Sequence, residues 1–165
     1  KFELSNPQKK LSWDFVSRND ALIEKLKLKA DTILFSKDGS VGIAYHLQED
    51  KDWVTSGAVL HLTILDPSKI IAEYLTAVLN SDLVQMQAER DAGGSIILHW
   101  RISEIEDVII PVASYKEQKI VADLVKESFL LRNKSKHLLS VIKKAVEIAI
   151  EQNEDAALTY VHENT

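Results

Sequence analysis

From Lys116 to Gln152 the chain contains neither proline nor glycine. Leu124, Leu131, Leu138 and Ala145 recur within it at seven-residue spacing, and a second seam runs through Ser128, Ser135, Ile142 and Ala149. Such a repeat is the requirement for a coiled coil. An uninterrupted helix here is roughly 55 Å long at 1.5 Å per residue. That exceeds the diameter of the globular domain the remaining residues can build, so the helix is expected to project and its seam to need a partner. Helix pairing is assigned to Leu124, Leu131, Leu138, Ile142 and Ala145. Ser128 and Ser135 weaken the apolar line, which favours either a helix with bulkier residues opposite them or the same protein antiparallel. The alternative is a helix folded back as two shorter ones near Arg132–Ser135. After Gln152 the chain turns polar, and 153–165 reads as a polar tail.

Upstream lies a second organised feature. Thr32, Ile33, Leu34 and Phe35 are strand formers, Lys37-Asp38-Gly39-Ser40 is turn chemistry, and Val41, Ile43 and Tyr45 alternate with Gly42 and Ala44. This predicts a hairpin with a half-buried second strand, Gly39 supplying positive φ at the turn. Asn19-Asp20 can cap a short helix through Leu26. Trp53–Leu65 has strand character broken at Ser56-Gly57. Asp66-Pro67-Ser68 reads as a helix start with Ile70, Ile71, Tyr74, Leu75, Val78 and Leu79 on the buried face. Leu83–Arg90 continues as a second helix, Gly93-Gly94 is a loop, Ser95–Ile102 a strand, and Ile105–Val112 an extended piece ending near Pro111. The expected class is α+β: a small mixed-sheet domain over 1–114, then the long C-terminal coiled-coil helix over 115–152.

The 165 residues, 45% of them hydrophobic, suffice for one real core. Cysteine is absent, which excludes disulfides and thiolate metal sites and suits a reducing compartment. No apolar run approaches the roughly 20 residues that cross a bilayer, so no membrane role is expected and the localisation reads as cytoplasmic. Beginning at Lys1 rather than methionine, the chain reads as a fragment or a trimmed piece. Charge is uneven: residues 1–30 carry +3, residues 31–114 carry −8, and residues 115–165 balance.

Several pieces in order resemble one repeat of the specificity subunit of type I restriction-modification enzymes. They are Lys29 through Gly42, Pro67 with Tyr74-Leu75, Leu79-Asn80-Ser81, Gln85 and Gln87, Gly93-Gly94-Ser95, Ile110-Pro111, Glu117-Gln118 with Ile120, Leu138-Leu139, Ala145 with Glu147, and Ile150-Glu151. The same recognition domain occurs at the C-terminus of adenine-specific DNA methyltransferases. The resemblance implies a globular target-recognition domain reading half of a bipartite site in double-stranded DNA. It also implies a spacer helix pairing with another recognition repeat, fused or as a dimer, and a modification (methyltransferase) subunit that carries the chemistry. Only one repeat is covered.

DNA reading needs cations on phosphates and donors at base edges. Lys9, Lys10 and Arg18 lie in the basic opening segment. Ser36, Lys37 and Ser40 flank the hairpin turn, where plain turn chemistry is the competing reading. Arg90, Gly94, Ser95, His99 and Arg101 surround the double glycine, with packing as the alternative for His99 and Trp100. Asn6, Gln8 and Asn19 read equally as adenine contacts or turn residues. Catalytic signatures are missing: there is no (Asn/Asp)-Pro-Pro-(Tyr/Phe) motif and no glycine-rich cofactor loop. Glu24-Lys25 and Glu49-Asp50-Lys51 give only fragments of a nuclease motif, and the histidines lack metal-ligand spacing. The expectation is therefore a non-enzymatic module with no cofactor and no metal. A protein–protein assembly module acting through the long helix, which the −8 central balance favours, is the runner-up; an enzyme domain is third.

Overall fold

The protein, seen as a computed structural model, is described over residues 2–5, 23–24, 26–94 and 96–165. Its strands are β1 (Phe2–Ser5), β2 (Ile33–Ser36), β3 (Ala44–His46) and β4 (Val59–Ile64). Helices α1 (Ala72–Leu79), α2 (Asp82–Asp91), α3 (Ile102–Glu106), α4 (Tyr115–Glu151) and α5 (Glu154–Asn164) follow. Residues 23, 24 and 26 are helical as well; the capping pair expected for that helix, Asn19-Asp20, lies outside the described residues. The α+β class holds. The sheet, ordered β1-β4-β2-β3, is antiparallel throughout.

Two compact units make up the chain, Lys1–Ala122 and Asp123–Thr165. In the first, Ile33 and Phe35 of β2 stand beside Leu62 and Leu60 of β4 on one face of the sheet. Against them pack Tyr74, Leu75, Val78 and Leu79 of α1, Val84 and Ala88 of α2, Trp100 and Ile105. Each large side chain fully buried this way contributes about 1.5–3 kcal/mol. Leu34 points to the opposite face and joins Leu28 and Leu47.

The β2–β3 hairpin forms as expected, but its small residues face inward. Ala44 and His46 are buried, while Ile43 and Tyr45 are 53% and 44% exposed. The reason is close approach of helices to this edge strand. Asn80, just past α1, takes the Ala44 N–H (3.0 Å) and donates to the Ala44 carbonyl (2.8 Å), so its amide replaces a missing neighbouring strand. Gln85 of α2 donates to the Gly42 carbonyl at 2.6 Å. Gly39 and Gly42 have φ of +78° and +79°. A Cβ on Gly39 would meet nothing within 4 Å, whereas one on Gly42 would sit 2.8 Å from Gln85 Nε2. Gly39→Ala should therefore cost about 1 kcal/mol of backbone strain alone, and Gly42→Ala about 2 kcal/mol or more because the Gln85 bond must also move. Urea denaturation of both variants checks the order.

Three local expectations are corrected. Asp66-Pro67-Ser68 forms a turn, with Asp66 Oδ1 accepting from Ser68 N at 3.1 Å, and the helix begins only at Ala72. The strand expected over Ser95–Ile102 is not found among the described residues: Gly93 and His99 pair with each other and close a loop, and helix α3 starts at Ile102. Within the expected extended piece, Ile105 and Glu106 are helical and only the stretch after α3 is irregular.

Side chains tie that irregular stretch down. Gln87 pairs through both amide atoms with the Ile109 backbone at 2.9 Å. The Tyr74 hydroxyl donates to the Pro111 carbonyl (3.0 Å) and accepts from Ala113 N (3.2 Å). Gln118, in the second turn of α4 and 1% exposed, accepts from Ile71 N (3.0 Å) and donates to the carbonyls of Lys69 (3.0 Å) and Ala113 (2.9 Å).

In the second unit α4 continues without a break to Glu151, so it is not folded back at Arg132–Ser135. Residues 153–165, expected as a polar tail, instead carry helix α5. Asn153 caps it by accepting from Ala156 N at 2.9 Å. It returns along α4, where His137 Nε2 donates to the Asn164 carbonyl at 3.0 Å. Ala157 of α5 and Val141 and Ala145 of α4 are buried.

Candidate functional site

The hairpin turn and the double-glycine loop lie about sixty residues apart in sequence and form one surface. Gly39 N donates to the Leu98 carbonyl (2.9 Å) and Trp100 N to the Lys37 carbonyl (2.7 Å). His99 Nδ1 lies 2.9 Å from Asp38 Oδ1. Trp100 anchors the junction from below, buried with its ring 5.7 Å from that of Phe35, its indole nitrogen without a hydrogen-bond partner among the described residues. A cleft of about 490 Å³ opens above it, lined by Lys37, Asp38, His99, Trp100, Arg101, Ile102 and Ser103.

Lys37, His99 and Arg101 are thus brought together. Ser36 and Ser40 sit in the adjoining turn and serve it: the Ser36 hydroxyl bonds the Ser40 carbonyl and accepts from Ile43 N at 2.9 Å. Gly94 shapes the loop at φ +140°. Arg90 stands at the C-terminal end of α2 and does not line the cleft. Lys9, Lys10, Arg18 and Ser95 lie outside the described residues.

Each described cation of this surface has a carboxylate beside it. Lys37 Nζ is 2.5 Å from Asp38 Oδ2, Arg90 grips Asp91 through Nε (2.6 Å) and Nη2 (2.7 Å), and Arg101 pairs with Glu104. Burial raises the Asp38 pKa, but hydrogen bonds and charge from Lys37 and His99 outweigh it and hold the carboxyl below its usual range. The hydrogen-bonded arginines do the same for Asp91 and Glu104. Glu104 has a second task, accepting from Arg101 N at 3.0 Å to cap α3. Arg90 and Arg101 remain largely exposed, at 69% and 78%. Such water-facing pairs are weak and exchange readily for another anion. The nuclease-like fragments behave as charged turns: Glu49 pairs with Lys51, and Asp50 with Lys29 at 2.9 Å.

Sequence reasoning missed the loop tip. Ile96, Ile97 and Leu98 are exposed, and their apolar run reads as a strand although a double glycine precedes it. It also missed Asp38 as the link between the two loops.

On the helix, Leu124, Leu131 and Ile142 are exposed and Leu138 is half-buried. Ala145 has different surroundings. It is buried, and it lines an apolar groove of about 300 Å³ with Ile142, Val146, Ala149 and residues of α5, so its own chain covers it. Among the described residues no helix is long and apolar enough to cross a membrane, and no cluster of three or more His, Asp or Glu could hold a metal.

No protein-family model matches the chain, and no curated protein does. Among solved structures it is similar to the type I restriction-modification system S subunit from M. genitalium, with a TM-score of 0.59 and 21% sequence identity. The likeness covers 78% of this chain and 33% of that subunit, so the chain spans about a third of its length. At this identity the likeness shows the fold: a small α+β domain with a long C-terminal helix.

Proposed function

We propose that this chain is a non-catalytic DNA-recognition module of a type I restriction-modification system. Its first unit reads one half of a bipartite duplex site. Its long helix pairs with another recognition repeat, fused or on a second copy, and a methyltransferase subunit supplies the chemistry in the cytoplasm. The fold shared with the M. genitalium S subunit carries this reading. The joined loops support it, since they offer Lys37, His99 and Arg101 around one cleft. Arg90 and Arg101 act as exchangeable phosphate contacts, each leaving its carboxylate for the backbone of the duplex.

Duplex binding measured across a salt series, with and without a modification methyltransferase subunit, tests the reading. Arg90→Ala with Arg101→Ala is expected to weaken affinity for all sequences alike and to reduce the salt slope by about 1 for each phosphate that is no longer neutralised. Unchanged affinity removes both residues from the interface. A specific observation favours the second reading, a protein–protein assembly module: the described cations of the surface are paired with acids, while apolar side chains stand exposed along α4. Salt-insensitive capture of a protein subunit, with no duplex binding, would establish it instead.

A further inference from the structure

We propose that Ile96–Leu98 is an apolar wedge that enters a base step of duplex DNA and bends it; the inference rests on the DNA-reading function above. Ile96, Ile97 and Leu98 are 95%, 55% and 40% exposed, while Trp100, two residues on, is 1% exposed. Three consecutive apolar residues held in water are a defect unless something receives them.

The tip is built to stay out. Gly93 and His99 exchange both backbone hydrogen bonds (2.7 and 3.1 Å), closing the loop at its base. Gly39 N holds the Leu98 carbonyl at 2.9 Å. At Gly94 a Cβ would lie 2.1 Å from the Ile97 carbonyl oxygen, so the turn is tight enough to admit only glycine. These bonds fix the base of the finger and Leu98, so less ordering is left to be done on insertion.

The flanks choose the occupant. Arg90 precedes the stem, Arg101 follows it and His99 closes it, all with largely exposed side chains. An apolar tip beside two arginines that can exchange their carboxylates, Asp91 and Glu104, for phosphates matches a ligand with an apolar stacked interior between two anionic edges. Branched aliphatic side chains inserted in this way unstack a base step and kink the duplex by roughly 20–90°.

The test uses the full chain and short duplexes recovered by it from a randomised pool, labelled at both ends for energy transfer. The wild type is expected to shorten the end-to-end distance. A variant carrying Ile96→Ser, Ile97→Ser and Leu98→Ser should leave the duplex straight and bind about tenfold more weakly, with an unchanged salt slope because every phosphate-binding cation is kept. Circular dichroism confirms that this surface variant stays folded, and Gly94→Ala, which misplaces an intact tip, should also lose the bend. Equal bending by wild type and serine variant, or none by the wild type, overturns the wedge and leaves DNA reading in place. No duplex binding by the wild type removes both. A serine variant that still bends DNA but no longer retains a protein subunit makes the tip a protein anchor instead.

Discussion

Gln118→Leu should lower the stability of the first unit by about 3–4 kcal/mol, taking each orphaned backbone group near the low end of its 1–3 kcal/mol range. The side chain meets three partners from two separate segments: Ile71 N at the start of α1, the carbonyl of Lys69 just before it, and the carbonyl of Ala113 at the entry to α4. Leucine matches its bulk and adds apolar surface, so the loss isolates the hydrogen bonds. Gln118→Glu is the sharper probe. A carboxylate can still accept from Ile71 N but faces two carbonyl oxygens at about the same distance, which favours its protonated form. Its folded-state pKa is then raised above the unfolded value, so the variant should regain stability as pH falls and lose it as pH rises through that value. Urea denaturation at two pH values reads both effects. A Gln118→Leu protein within 1 kcal/mol of wild type would mean that water takes over all three groups.

Gln118 also shows why much of this fold was legible. The pieces that carry the family resemblance include Tyr74, Asn80, Gln85, Gln87 and Gln118, and each fastens its side chain to a distant stretch of backbone. A polar residue at a fixed place in an otherwise apolar pattern marks a backbone group that no strand or helix satisfies. Periodicity gave α4 and the hairpin because their hydrogen bonds are local. It failed at Ser95–Ile102, where apolar residues in a row suggest a strand, yet Gly93 and His99 bond to each other rather than to the sheet. It did not show which face of β3 turns inward, because Ala44 is small to admit a helix, which composition alone cannot tell from a weak strand. It failed at α5 because a helix that buries Ala157 needs no large apolar stripe. At the candidate site, Lys37, His99 and Arg101 are legible as residue types, but nothing in the sequence pairs them with Asp38, a turn residue, or with Glu104, part of the bulk negative charge.

Those acidic neighbours alter what the −8 balance of residues 31–114 means. Asp38, Asp91 and Glu104 sit directly on Lys37, Arg90 and Arg101 and neutralise them until another anion takes their place. In the proposed DNA-reading role such an arrangement would engage the duplex only where its shape lets the phosphates replace the carboxylates, which penalises loose electrostatic attachment and leaves fit to decide affinity.

Leu131→Asp should abolish the proposed pairing of the long helix while leaving the molecule folded. Leu131 is 60% exposed and Leu124 61%; at 100° per residue they share a narrow stripe with Leu138, Ile142 and Val146. Because α5 covers Ala145, the seam shifts toward Ile142 and Val146, which remain 54% exposed. Burying a leucine is worth about 1.5–3 kcal/mol. In a two-fold pair the change occurs twice and a charge is buried besides, so association should fall by on the order of 10³-fold or more. Leu138→Asp should act in the same direction but also disturb the packing against α5, since His137 beside it bonds Asn164. Leu130→Asp is the control: it is 70% exposed and lies about 100° away from the stripe, so pairing should survive. Size-exclusion chromatography across a concentration series reports association, and circular dichroism reports helix content. Equal loss in the Leu130 and Leu131 variants would assign the effect to added charge rather than to a seam. A wild type that stays monomeric, and takes up no second recognition repeat, would leave the stripe without a partner helix.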